Sequence, residues 1–291
     1  MATTSVYDIV TERILDQLSK GEVPWHKPWV GSETGAINYC SRKEYSPLNQ
    51  MLLGSDGEYL TFRQIKEADG RIKPGAHFST VFFYQPPKNR KEEEEDAGDE
   101  GSPKKHRGMV LRYYKVMHIA DTEGIPSRIN PDIDDENLVI EPKEKAAEAV
   151  STYLAREKHL RTDIGGLKDP SYSITTDLIA CPGIECFPVQ DQYYGTLFHL
   201  MVKSTAHRFR LERRTDGDSQ AREELIAEIG AAMLCNRCGL SSRKAFNTSV
   251  AYIQKWVRFF ENDKKAIVEA SGRARRAVDF ILNGTEDGED E

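Results

Sequence analysis

The sequence predicts an α+β protein with two domains, a small mixed α/β N-terminal domain and a mainly helical C-terminal domain. In the first part of the chain, short helical segments alternate with two runs rich in β-branched and aromatic residues, which are typical of strands. In the last part, apolar residues recur at helical spacing through several long segments. A proline-rich, acidic stretch with the composition of a linker lies between the two parts.

The N-terminal domain is predicted to cover residues 1–125. It begins with an amphipathic helix, for which Ser5 and Asp8 can form a capping box and Gly21 marks the end. WHKPW, at 25–29, follows as an extended, aromatic-rich segment. The other predicted elements are the helices SPLNQMLL (46–53) and TFRQIKEA (61–68) and the strands TVFFYQ (80–85) and MVLRYYKVMHI (109–119).

Three segments of unusual composition divide the chain further. Residues 86–107 are rich in charge, Pro and Gly and have almost nothing to bury, so they are predicted to be a mobile insertion in the hairpin between the two strands. Residues 126–142 are predicted to be the linker. Residues 285–291 are predicted to be an acidic tail.

The C-terminal domain is predicted to cover residues 143–284. A pair of strands is expected in YSITTDLIACPG, at 172–183. The rest is expected to be helical, in KEKAAEAVSTYLAREK (143–158), QYYGTLFHLMVKSTAHRFRLERR (192–214), SQAREELIAEIGAAMLCNRCG (219–239), SVAYIQKWVRFFEN (249–262) and KKAIVEASGRARRAVDFIL (264–282).

Composition excludes several classes of protein. Hydrophobic residues make up 38% of the chain, and no apolar run approaches the ~20 residues that cross a membrane. No signal-peptide pattern is visible at the N-terminus, so we expect a cytoplasmic protein with no membrane partner. The five cysteines are few and odd in number, which favours a reducing environment. Cys235 and Cys238 are predicted to pack near the core rather than to form half of a zinc site.

The net charge of −7 argues against a nucleic-acid partner, but the charge is unevenly distributed. Acidic residues are concentrated at 92–100 and 286–291. Residues 243–276 contain nine Lys or Arg against three Asp or Glu, and HRFRLERR at 207–214 is rich in arginine. Such clusters are consistent with a local nucleic-acid footprint. They are equally consistent with solvated helix faces.

The stretch FHLMVKSTAH, at 198–207, has the spacing of a zinc-peptidase helix without its chemistry. The motif HExxH places two imidazoles one helical turn apart and a glutamate base beside the first. Here His199 keeps the first position, but Leu200 replaces the base and Lys203 replaces the second ligand. Leu200 cannot accept a proton, and a protonated Lys203 would repel zinc. His207 lies two turns from His199, too far along the axis to substitute.

The next predicted helix supplies the acidic partner of this motif, as Glu224 or Glu228. One imidazole and one carboxylate leave a catalytic zinc site without a ligand and without its base. We therefore expect no zinc, no other cofactor and no hydrolytic site. Lys203 is hypothesised to pair with the carboxylate of the next helix, so that a fixed charge takes the place of the metal.

WHKPW combines the flat rings of Trp25 and Trp29 with His26 and the cation of Lys27. Single-stranded nucleic acids are bound in this way, with bases stacked on rings and cations along the phosphates. The alternative is that one or both tryptophans cap a small core. The predicted strand at 109–119 adds candidate DNA contacts, although alternate residues of a strand face opposite sides; they are Arg112, Tyr113 and Lys115.

Three segments of the first part of the chain resemble the N-terminal domain of the ArdC-type antirestriction proteins of plasmids and phages. They are VTERILDQLSKGEVPWHKPW, TFRQIKEADGRIKPG and RYYKVMHIADTEGIP. YYGTLFHLMVKSTAHRFRLERR and the helices after it resemble the zincin-like C-terminal domain of that family. The resemblance covers nearly the whole chain in order. The sequence departs from the family at residues 199–203, where the family would have HELVH and this chain has HLMVK. His199, Lys203 and Glu224 are therefore expected to be remnant metal-site positions and not catalytic residues.

The resemblance implies an N-terminal domain that binds single-stranded DNA and a C-terminal domain of metallopeptidase fold. We expect a DNA-binding protein, with single strands preferred and duplex DNA as a second ligand, and a pseudo-peptidase domain that serves as scaffold or as a surface for a protein partner. Two alternatives remain open. One is an adaptor subunit of a larger nucleoprotein complex with little DNA affinity of its own. The other is an active metal-dependent peptidase.

Overall fold

The structure is a computed structural model, and part of the chain lies outside the residues that it describes. The charged insertion, most of the predicted linker, the acidic tail, Lys27 and Trp29 all fall outside this part. The described residues are 5–26, 35–85, 110–129, 141–166, 169–215, 219–246 and 249–284.

The N-terminal part mixes short helices and strands, as the sequence predicts, and the two predicted strands belong to a sheet of four. The sheet has the strand order β1-β2-β5-β4; β1 is parallel to β2, and the other neighbours are antiparallel. β3 and β6 form a separate, antiparallel sheet of two strands. The elements are α1 (Val6–Ser19), β1 (Ala36–Asn38), α2 (Pro47–Leu53), β2 (Gly57–Thr61), α3 (Phe62–Glu67), β3 (Arg71–Ile72), β4 (Ser79–Gln85), β5 (Val110–His118) and β6 (Thr122–Glu123).

Side chains just before each helix explain where the N-terminal helices begin. Ser5 and Asp8 form the predicted capping box of α1, with the Asp8 amide donating to Ser5 Oγ at 3.2 Å and the Ser5 amide donating to Asp8 Oδ2 at 3.0 Å. Thr61 caps α3 in the same way. Trp25 and His26 depart from the expected extended segment, because Pro24–His26 forms a 3₁₀ turn.

The C-terminal part is mainly helical, as predicted, with a three-stranded sheet of order β7-β9-β8. β8 is antiparallel to β9, which confirms the predicted strand pair, while β7 is parallel to β9 and was not expected. The sequence RTDIGG of β7 has no apolar alternation to indicate a strand. The elements are α4 (Pro142–Arg156), β7 (Arg161–Gly166), β8 (Ser171–Ser173), β9 (Leu178–Pro182), α5 (Gln190–Ser204), α6 (Ser219–Arg237), α7 (Ser242–Ala245), α8 (Val250–Asn262) and α9 (Ala266–Asn283).

The helix predicted for 192–214 ends ten residues early, at Ser204. The chain then folds back on itself, because Arg210 Nε donates to the carbonyl of Ser204 at 2.7 Å and Arg213 Nη2 donates to the carbonyl of Val202 at 3.1 Å. These two guanidinium groups satisfy carbonyls at the C-terminal end of the helix, where orphan acceptors remain. Helical periodicity alone does not reveal such an end.

The N-terminal helices and the C-terminal helices share one hydrophobic core. Val10, Ile14 and Leu18 of α1 and Met51 of α2 are fully or almost fully buried in the same cluster as the core residues of α8 and α9. Trp25 belongs to this cluster as well and is only 1% exposed. None of the described helices is both long enough and apolar enough to cross a membrane.

Candidate functional site

Helices α5 and α6 bring the remnant motif together with two glutamates. His199 and Lys203 are four residues apart on α5, and Glu224 and Glu228 are four residues apart on α6, so each pair lies on one face of its helix. The helices approach closely where α6 has Gly230. A Cβ atom at that position would lie only 2.9 Å from Cγ2 of Val202, so the close approach depends on glycine.

Glu224 is bound from both sides by residues of α5. Its Oε1 lies 3.2 Å from His199 Nε2, and its Oε2 lies 3.1 Å from Lys203 Nζ. Hydrogen bonding from His199 lowers the pKa of the Glu224 carboxyl to about 2; the charges of His199 and Lys203 act in the same direction, and burial opposes them. The carboxylate is thus held in its charged form by partners that belong to the protein.

Glu228 is contacted by the N-terminal part of the chain. His26 Nε2 lies 3.4 Å from Glu228 Oε2. The imidazole is stacked against Phe246, with ring centroids 4.7 Å apart, and against Tyr252, at 5.7 Å. His26 therefore joins the 3₁₀ turn to Glu228 of α6, a contact that no local sequence pattern indicates.

Trp25 and His26, two of the predicted DNA contacts, are buried. Trp25 packs edge-on against Trp256, with ring centroids 5.8 Å apart, and His26 is only 2% exposed. Neither ring has a face open to a base, and base stacking requires one. The alternative that a tryptophan of WHKPW caps a core is correct for Trp25.

A cleft of about 390 Å³ is lined by the polar side chains of α5 and α6, which are His199, Lys203, Glu224 and Glu228. Ser171 and Tyr172 of the edge strand β8 form part of its wall, together with Leu200 of α5. Lys203 and Glu224 also line an adjoining cavity of about 230 Å³. The cleft has the size of a ligand pocket, and its floor carries a paired cation and anion.

His199, Glu224 and Glu228 offer one ligand atom each within 4.8 Å of one another, which is the donor set that a zincin fold would direct at a metal. Two features of the set do not fit a catalytic zinc. The Lys203 ammonium already binds Glu224 where the second imidazole would stand. Leu200, 4% exposed, offers no group that accepts a proton from a metal-bound water.

The predicted strand contacts Arg112, Tyr113 and Lys115 are all exposed, but they face opposite sides of the sheet. Arg112 lies in register with Phe83 of β4, on the same face as Tyr114. Tyr113 and Lys115 lie on the other face, where Phe82 is buried. The three residues therefore do not form one surface.

The face with Arg112 also carries two aromatic rings, one from each of the two predicted strands at 80–85 and 109–119. Phe83 and Tyr114 are each 39% exposed, and their ring centroids lie 5.9 Å apart. Alternation from the buried Val116 would have placed Tyr114 and Arg112 on one face. We call Phe83, Arg112 and Tyr114 the aromatic face.

The remaining cysteine prediction agrees with the structure. Cys235 and Cys238 are buried, and burial raises the pKa of both thiols, that of Cys238 to about 11. Both thiols lie in the hydrophobic core, where the sequence predicts them.

Comparison with known proteins identifies both parts of the chain. Residues 4–117 match the model of the N-terminal domain of the anti-restriction factor ArdC, and residues 148–273 match the zincin-like metallopeptidase model. Two DNA primases TraC of Escherichia coli are 25% and 26% identical over 95% of this chain. The chain spans only 20% and 27% of the length of these curated relatives.

A solved structure resembles the chain over 97% of its length. The crystal structure of the antirestriction ArdC protein from the R388 plasmid, with Mn(II) bound, superimposes with a TM-score of 0.72 at 27% identity and covers 97% of this chain and 99% of that one. The metal-free structure of that protein gives a TM-score of 0.71. The chain therefore carries an ArdC N-terminal domain followed by a zincin-like metallopeptidase domain, and over nearly its whole length it is similar in fold to the ArdC protein of the R388 plasmid.

Proposed function

We propose that this protein binds DNA, with single strands preferred, in an antirestriction role for a mobile element or phage, and that its metallopeptidase-like domain performs no hydrolysis. The observation that carries the proposal is the ion pair between Lys203 Nζ and Glu224 Oε2, at 3.1 Å. It occupies the position from which the second imidazole of a zinc peptidase would act. Binding is then the activity that the chain retains, and the cleft is a scaffold or a surface for a protein partner.

The chemistry of peptide hydrolysis explains why this ion pair supports the absence of hydrolysis that we propose. A zinc peptidase needs a metal that activates water and a carboxylate that takes the proton from it. Lys203 brings a positive charge to the place of a ligand, and Leu200 brings an aliphatic chain to the place of the base. Each change alone would remove an essential part of the mechanism.

The DNA-binding half of the proposal is supported by the N-terminal family match and by the aromatic face. Phe83 and Tyr114 offer partly exposed rings, and Arg112 offers a cation in register with Phe83. Rings that stack with bases beside a cation that contacts phosphate bind single strands with little dependence on sequence. Duplex DNA hides its base faces, so we expect it to bind more weakly.

A second candidate is an adaptor subunit with little DNA affinity of its own. Two observations favour it: Trp25 and His26 are buried, which removes part of the predicted stacking surface, and the similar region forms only 20% and 27% of the length of the DNA primases. In such an assembly the chain would supply contacts to other components, and its own affinity for DNA would be low.

Equilibrium binding and metal analysis on one preparation test the proposal. Labelled single-stranded and duplex DNA are titrated by fluorescence anisotropy across a salt series, and the metal content is measured on protein purified without chelator. We expect tighter binding of the single strand, weaker binding as salt rises, and far less than one zinc per chain. Absence of any binding at low salt would favour the adaptor, and stoichiometric zinc with peptide cleavage would favour an active peptidase.

A further inference from the structure

We propose a second nucleic-acid contact site on the zincin-like domain, formed by Lys158, His159, Arg161, Arg208 and Phe209. We call these residues the Phe209 surface. The inference rests on the proposed DNA binding and deepens it, because it places a contact on the part of the protein to which neither the family matches nor the aromatic face assigns one.

Phe209 is an exposed ring surrounded by nitrogen-bearing groups. It is 53% exposed, although it lies in the segment that folds back after α5. The centroid of its ring lies 4.7 Å from that of His159 and 4.9 Å from that of His207, and the Arg208 guanidinium carbon lies 4.8 Å above it. An aromatic ring next to a cation and an imidazole is the combination that stacks with a base and contacts its phosphate.

The segment that presents Phe209 is held in place by buried ion pairs. Arg210, whose side chain is 0% exposed, binds Asp177, and Arg213 Nη2 lies 3.0 Å from Glu223 Oε2. The amide of Phe209 donates to His207 Nδ1 at 3.3 Å. Two of the arginines of HRFRLERR are therefore structural, and they fix the position of the ring before any ligand arrives.

The charge that remains accessible around the ring is mainly positive. Lys158 and Arg161 are exposed in the connection from α4 to β7 and at the start of β7, on either side of His159 and Leu160. The nearby carboxylates Glu157 and Asp177 are both engaged by Arg210. Glu212 is the exposed acidic residue of the same segment. Cations beside an exposed ring favour a nucleic acid as the ligand, because its bases stack on the ring and its phosphates contact the cations. An acidic peptide would be recognised by charge alone and would not need the ring.

β-Strand pairing brings these elements to one place. The amide of Arg161 donates to the carbonyl of Asp177 at 2.8 Å, and Asp177 Oδ2 lies 3.7 Å from His207 Nδ1. The start of β7 and the segment after α5 therefore meet at Asp177, and His159 reaches across to Phe209.

The test compares full-length variants in the same anisotropy assay, with a labelled 30-mer of thymidylate as the probe. Removal of both side chains, Arg208→Ala with Phe209→Ala, is expected to weaken single-strand binding by about tenfold and to reduce its salt dependence. Phe209→Tyr keeps a ring and is the matched control, expected to bind like the wild type. Circular dichroism and thermal unfolding verify that both variants fold like the wild type.

The outcomes separate this inference from the proposed function. If the wild type binds the 30-mer and the double variant binds it equally well with the same salt dependence, the Phe209 surface is not a DNA contact and the proposed function stands. If the wild type does not bind single strands, both fail together. If the double variant loses binding of labelled poly-glutamate but keeps that of the 30-mer, the surface takes acidic protein segments and the nucleic-acid assignment is overturned.

Discussion

Lys203 and Glu224 face each other across the cleft, with 3.1 Å between Nζ and Oε2, while His199 binds the other oxygen of the same carboxylate at 3.2 Å. A metallopeptidase would place a divalent cation among these groups. Here a side chain supplies the positive charge. On the proposed function, this charge takes the place of the metal, and the stability of this part of the fold should not depend on a metal.

The ion pair should contribute modestly to stability. Its two side chains are 34% and 30% exposed, so solvent screens the attraction in part. We expect Lys203→Met to lower the free energy of unfolding by about 1 kcal/mol, because Glu224 keeps its charge without its cation. Urea denaturation measures the change. Lys203→Arg is the control, and strict additivity of Lys203→Met with Glu224→Gln would mean that the pair contributes nothing.

The low pKa of Glu224 predicts how stability depends on pH. Because the folded-state pKa, about 2, lies below the ordinary value of 4.5, the carboxylate contributes stability that is fully present above pH 4.5 and is lost as the pH falls towards 2. The difference in free energy of unfolding between the wild type and Glu224→Gln should shrink across this window. Denaturation at several pH values checks it, and a difference that stays constant would contradict the assigned pKa.

If the proposed loss of the metal site follows from Leu200 and Lys203, replacing these two residues should restore metal binding. Leu200→Glu together with Lys203→His would place a base beside His199 and a second imidazole one turn from it, opposite Glu224. We expect the double variant to take up about one zinc per chain, measured by elemental analysis after dialysis against zinc and then buffer. The wild type treated in the same way is the control. A restored variant without zinc would show that α5 and α6 no longer hold these positions at ligand distance.

How far the sequence predicts this site depends on whether the relevant contacts are local. His199 and Lys203 are one turn apart on a helix, and the acidic helix follows in sequence, so the spacing was sufficient to predict the pairing of Lys203 with the next helix. The place of Trp25 depends on Trp256, more than two hundred residues away. No local pattern distinguishes a tryptophan that stacks with bases from one that packs against a distant helix. The early end of α5 has the same cause, because Arg210 and Arg213 must fold back before they can cap it.

Burial of Trp25 changes what its replacement should do. Trp25→Ala would leave a cavity in the core that the N-terminal helices share with α8 and α9, and we expect a loss of ~3–5 kcal/mol in the free energy of unfolding. Trp25→Phe should lose less because it keeps part of the packing. Thermal and urea unfolding measure both variants. A Trp25→Ala protein as stable as the wild type that binds single strands more weakly would instead support the stacking role.

The last prediction concerns which face of β5 meets DNA. Phe83→Ala with Tyr114→Ala should weaken single-strand binding by ~1–3 kcal/mol for each base that stacks on a removed ring. Arg112→Ala, on the same face, should reduce the salt dependence by the equivalent of about one phosphate contact. Anisotropy titrations across a salt series measure both effects.

Tyr113 supplies the matched control for the aromatic face. It is 53% exposed, belongs to the same strand and lies on the opposite side of the sheet, so Tyr113→Ala removes a comparable ring from a comparable environment. We expect this variant to keep the affinity of the wild type. If it weakens binding and the Phe83 and Tyr114 variant does not, DNA approaches the side of Tyr113 and Lys115. If both variants bind more weakly, DNA contacts both sides of the sheet.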